Sequence, residues 1–108
     1  DAVRKMANDW DFSDAGRRRQ AERMNTLALF EGVRGRTVIC DFVCPTNETR
    51  KLFSHEVMIW MNTIEAGRFE DTNKMFEPPE DATYVVKGYQ TDEEIEKFAT
   101  RLKENYGI

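Results

Sequence analysis

The chain has little from which to build a metal or disulfide scaffold. It holds two cysteines, Cys40 and Cys44 in a C-x3-C spacing, and one histidine, His55, in 108 residues. That is too few ligands for a structural zinc site. Both cysteines lie in or beside an apolar run, so we expect buried free thiols. No apolar run reaches the roughly 18 residues of a membrane helix, and no signal-peptide pattern is present. We therefore expect a cytoplasmic protein with no membrane partner. A broad basic surface is lacking too: the net charge is −4 and the isoelectric point about 5.1. A nucleic-acid backbone needs such a surface, so no nucleic-acid partner is expected. Internal repeats and low-complexity stretches are absent.

What remains is an ordinary globular composition, 40% hydrophobic and 33% charged, in one domain or part of one. The charge is uneven. Residues 1–40 carry eight Lys/Arg against six Asp/Glu, whereas residues 64–108 carry six against eleven. The basic excess concentrates in Phe12-Ser13-Asp14-Ala15-Gly16-Arg17-Arg18-Arg19-Gln20. Ser13 or Asp14 can cap a helix there. The exposed N–H groups of the first turn favour an anion, and Arg17 offers a planar two-pronged donor. The same residues also fit a solvated basic helix face.

Taken in order, Ala2 to Ala7 reads as a short helix with Val3, Met6 and Ala7 inward. Trp10 and Phe12 follow in a loop, where they either anchor it to the core or line a flat pocket. A helix from Asp14 to Glu31 has Ala21, Met24, Leu27, Ala28 and Phe30 on its inner face. Gly32 is its stop, and Gly35 lies in the next turn. Thr37 to Val43 reads as a buried strand, apolar on both faces except at Asp41. Pro45 ends it and Thr46 caps a helix to about Phe53. Glu56 to Met61 is a second strand, Ile64 to Asp81 an irregular, lid-like loop, and Thr83 to Val86 a third strand. Thr91-Asp92-Glu93-Glu94 is a capping box opening a last helix, with Ile95, Phe98, Ala99 and Leu102 inward. This alternation predicts a three-layer α/β/α fold with a parallel sheet and right-handed crossovers.

The order of motifs resembles the adenylylsulfate kinase family, P-loop enzymes that use ATP to phosphorylate the ribose 3′-hydroxyl of adenosine 5′-phosphosulfate. Asp1-Ala2-Val3-Arg4 is similar to the end of the family's D-G-D-N-[VI]-R segment. Phe12 to Arg17 resembles G-F-S-x-x-D-R, with Gln20 where the family has Asn. Val38 to Pro45 resembles the strand ending in F-I-S-P, and Phe69 to Pro79 resembles F-T-G-I-x-x-P-Y-E-x-P. The resemblance implies that Arg4 and Arg17 hold the phosphosulfate and that Phe12 and Phe69 hold the adenine. It places Gln20, Val43 and Cys44 beside the substrate and gives Asp1 the orientation of the acceptor hydroxyl or metal shell. The family serine before proline is Cys44 here, and the basic lid is shorter, with Arg68 its nearest cation.

The P-loop itself, G-x-x-x-x-G-K-[ST], does not occur in these residues. That loop supplies the phosphate cradle and the Mg2+ ligand. ATP and Mg2+ are thus implied through a segment outside this sequence. The family's P-loop strand lies between the strands matching residues 37–43 and 57–61, so its loss leaves two unpaired edges. We expect a longer polypeptide, with alternatives of a strand supplied by another copy in a homo-oligomer, or a remodelled, non-catalytic nucleotide-binding or interaction module.

Overall fold

The computed structural model describes residues 1–63 and 70–108. Helix α1 (Ala2–Ala7) ends at Asn8, whose left-handed φ of 49° turns the chain back. Asparagine tolerates that conformation better than most residues. Helix α2 (Asp14–Gly32) starts where Ser13 Oγ accepts the Gly16 N–H at 3.2 Å. Helix α3 (Asn47–Lys51) starts in the same manner, Thr46 Oγ1 accepting the Thr49 N–H at 3.2 Å. The capping box of α5 (Asp92–Tyr106) forms in full, with Thr91 and Glu94 each accepting from the other's backbone. Gly107 closes α5 at φ 67°, donating to the Lys103 carbonyl. These are short-range signals, each settled within four residues, and all three caps form at the expected places.

Strands β1 (Ile59–Asn62) and β2 (Tyr84–Lys87) pair in parallel, Ile59 opposite Tyr84 through Asn62 opposite Lys87. The start of the ladder is reinforced by Met58, whose carbonyl accepts from Thr83 and Tyr84 at 2.8 and 3.1 Å. A helix α4 (Glu70–Met75) lies between them in sequence, within the stretch expected to be irregular. Helix α5 leans on β2 through Tyr84, which meets Phe98 edge-on at 5.3 Å and receives a hydrogen bond from Asn105 at 3.1 Å. The architecture is therefore mixed helix and strand around a small parallel sheet.

Four expectations are corrected. Residues 37–43 run without a strand partner among the described residues, and Ile39 is 89% exposed. Their side-chain pattern suits a sheet interior, but a ladder needs a neighbouring backbone, which composition cannot supply. In α1 the inward residue is Arg4, not Met6 or Ala7. Met6 is 77% exposed. A guanidinium surrounded by backbone carbonyls outcompetes a methionine with no apolar wall to meet. In α2, Ala21 and Met24 are buried as expected, but Leu27 and Phe30 remain exposed. Cys40 and Cys44 are free thiols, as expected, but half-buried rather than buried.

The best-buried part of the molecule is polar. Among the described residues Ala21 and Met24 are the buried hydrophobic side chains, beside Arg4, Arg17, Gln20, Thr49 and Arg50. Buried polar groups require partners, and none of these is left unsatisfied.

Candidate anion-binding site

The site begins with the turn at Asn8. It sends residues 9–13 back across the start of α2, close enough that a Cβ on Gly16 would stand 2.1 Å from the Asp11 carbonyl oxygen. Only a residue without a Cβ permits that approach. Arg4 reaches up from α1 and donates through Nη1 to the Asp9 and Asp11 carbonyls at 3.1 and 3.2 Å. Arg17, one turn into α2, donates through Nε to the Phe12 carbonyl at 2.9 Å and through Nη2 to Thr72 Oγ1 on α4 at 3.0 Å. The Phe12 ring is thereby approached by two guanidiniums. The Arg4 carbon is 4.5 Å from its centroid and the Arg17 carbon 5.6 Å. Cation–π attraction favours that arrangement.

A set of ion pairs holds the loop from outside. Asp9 accepts from Arg19 and from Arg23, each contact near 3 Å, and Asp11 accepts from Arg19 at 2.8 Å. Asp9 also takes the Asp11 N–H, and Asp11 the Ser13 N–H. Hydrogen bonds from Arg19 and then Arg23 hold the Asp9 carboxyl well below the usual carboxylate range. Hydrogen bonding from Ser13, then Arg19, brings Asp11 down to about 2. The same pairing raises Arg19. Gln20 is buried and accepts from Arg23, so its amide belongs to this outer set.

Arg4 and Arg17 stand apart from that set. Neither forms an ion pair with a carboxylate among the described residues. Burial lowers the Arg4 pKa first; Asp9 opposes this, and the neighbouring Arg17 and Arg23 add to it. Carbonyls and a hydroxyl rather than carboxylates take the hydrogen bonds of these two buried cations among the described residues, with Asp9 and Asp11 acting on Arg4 only as nearby charges. The corner thus sets two guanidiniums beside an aromatic ring that is half exposed.

A second corner is tied to the first. Arg50 folds onto its own loop, donating to the carbonyls of Cys44 and Pro45 at 2.9 and 3.0 Å and to Asn47 Oδ1 at 2.8 Å. Burial raises the Cys44 thiol pKa, against opposing effects of Thr49 and Arg50. The segment after α4 closes over this corner. Phe76 lies 5.6 Å from the Arg50 guanidinium, and Glu77 exchanges hydrogen bonds with Pro45 and Asn47. An ion pair at 2.7 Å from Arg18 to Glu48 joins α2 to α3.

Of the residues singled out from sequence, Arg4, Phe12 and Arg17 converge. Asp1 is exposed at the start of α1 and makes no side-chain cap. Val43 is 66% exposed and Cys44 half-buried, both at the second corner. Arg68 and Phe69 lie outside the described residues. Missed from sequence were Asp9, Asp11, Arg19, Arg23 and Thr72. The Asp-x-Asp spacing of 9 and 11, set against arginines four apart on α2, carries the signal for all but Thr72.

Models of protein families, curated proteins and solved structures were all compared with the chain, and none matches. Among the described residues no helix is long and apolar enough to cross a membrane. A functional reading therefore rests on the geometry of the corner and on the motif resemblance.

Proposed function

We propose that this chain forms the acceptor-binding part of an adenylylsulfate-kinase-like phosphotransferase and takes an anionic adenine nucleotide such as adenosine 5′-phosphosulfate. The observation that carries the reading is the pair of buried arginines flanking Phe12, neither of which forms an ion pair with a carboxylate among the described residues. In this reading Arg4 and Arg17 neutralise the phosphosulfate, and the open side of Phe12 takes the base. Phe69 supplies the second stack and Arg68 a lid cation. Asp1 orients the acceptor hydroxyl, while Gln20 keeps Arg23 in place. Catalysis then comes mainly from positioning and charge neutralisation.

The residues present do not fit ATP and Mg2+. They include no G-x-x-x-x-G-K-[ST] loop, and the described residues hold no cluster of three metal-ligating side chains. Both cofactors would need a P-loop and its strand from outside these residues, in a longer polypeptide or another copy. That strand would complete the three-layer sheet beside residues 37–43. A second reading, nucleotide binding without transfer, is favoured by the fact that Arg4 and Arg17 are already fixed by carbonyls of this chain alone.

Calorimetric titration with adenosine 5′-phosphosulfate tests the site. Arg17→Met should weaken binding by about tenfold to a hundredfold, the loss of a hydrogen bond to a charged group. Absence of binding at millimolar nucleotide, or an unaffected Arg17→Met, would refute it. Turnover on adding ATP and Mg2+ separates the kinase reading from binding alone.

A further inference from the structure

The geometry points to Thr72 as a further substrate-binding residue, donating its hydroxyl proton to the anion held by Arg4 and Arg17. This rests on the binding reading above and adds a group that neither spacing nor motif identifies.

Threonine hydroxyls on the longer helices of this protein turn back onto their own helix. Thr26 donates to the Glu22 carbonyl and Thr100 to the Glu96 carbonyl, each at 3.0 Å. Thr72, in the first turn of α4, accepts from Arg17 Nη2 over a separation of 55 residues. A hydroxyl has one proton and two lone pairs. Accepting from Arg17 uses a lone pair, and among the described residues no acceptor takes the proton. Polarisation by the cation also makes that proton a better donor. Beside two guanidiniums that form no ion pair among the described residues, the fitting acceptor is an anionic oxygen. Arg17 and Thr72 together then present N–H and O–H to neighbouring oxygens of one phosphate or sulfate.

The placement has a second consequence. Helix α4 is connected to the first corner through Thr72, and the segment after it to the second corner through Phe76 and Glu77.

The test compares Thr72→Val, which keeps the shape and removes the hydroxyl, with Thr72→Ser, which keeps it. Affinity for adenosine 5′-phosphosulfate is measured by calorimetry, and for adenosine, which lacks the anion, by ligand-observed NMR. Thr72→Val should bind the phosphosulfate about tenfold more weakly, bind adenosine as the parent does, and be rescued by Thr72→Ser. Undiminished phosphosulfate binding by Thr72→Val, failure of the Ser variant to restore it, or an equal loss for adenosine would overturn the assignment. In those cases the parent protein still binds and the anion-site reading survives. If the parent binds no phosphosulfate, both fall.

Discussion

Replacing Gly16 with alanine should destabilise the protein, against the usual sign for glycine in a helix. On helix propensity alone the change adds up to about 1 kcal/mol of stability. Here the new Cβ would lie 2.1 Å from the Asp11 carbonyl oxygen, 2.6 Å from Asp11 Cγ and 2.7 Å from the Asp11 carbonyl carbon. Two of those three are backbone atoms, so the loop has to lift by about an ångström to reach ordinary contact distance. Lifting it removes the Arg4 hydrogen bond to the Asp11 carbonyl, a charge-assisted contact of about 1.5–3 kcal/mol. It also breaks the exposed Asp11 contact with the Ser13 N–H. Set against the propensity gain, the net loss is about 1 kcal/mol, or roughly 5 °C in melting temperature for a domain of this size. Gly32, at the other end of the same helix, is the internal control, because a Cβ there meets nothing within 4 Å. Thermal melts followed by circular dichroism should show Gly16→Ala falling and Gly32→Ala rising slightly. If both variants rise together, the loop does not press on α2 as described, and the site built on that contact is wrong.

Two further outcomes follow from the same physics. The carboxyls of Asp9 and Asp11 titrate below the ordinary carboxylate value in the folded protein, so their stabilising contribution is complete above about pH 4. It should be lost as pH falls from 4 through 2, and Asp11→Asn should flatten the slope of melting temperature against pH over that window; an unchanged slope would show that Asp11 gains nothing from Ser13 and Arg19. Thr91→Ala should cost about 1 kcal/mol by removing the cap of α5, read as a lower urea midpoint with an unchanged denaturant slope.

The legible parts of this protein were the local ones. The caps at Ser13, Thr46 and Thr91 need only a few consecutive residues to form. The apolar runs around Ile59 and Tyr84 announce strands because their β-branched and aromatic side chains suit nothing else nearby. Residues 37–43 carry the same pattern, but pairing is a property of two backbones, and no described strand lies against them. Arg4 was expected as a ligand-facing side chain on a helix whose apolar residues point inward. In the structure the apolar residues of α1 have no wall to meet, while Arg4 has two carbonyls and a ring. The convergence of Arg4, Phe12 and Arg17 was legible through motif order. The contribution of Thr72 was not, because a hydrogen bond across 55 residues leaves no periodic trace.

Asp9 serves two arginines at once, and this imposes an order on how the corner can change over generations. Losing Arg23 first leaves Asp9 still matched by Arg19. Losing Asp9 first leaves Arg4, Arg17, Arg19 and Arg23 crowded together with Asp11 as the remaining acid among their partners. The effects of these substitutions are therefore non-additive. Drift that ends with neither Asp9 nor Arg23 leaves less unmatched charge on the way when the arginine goes first.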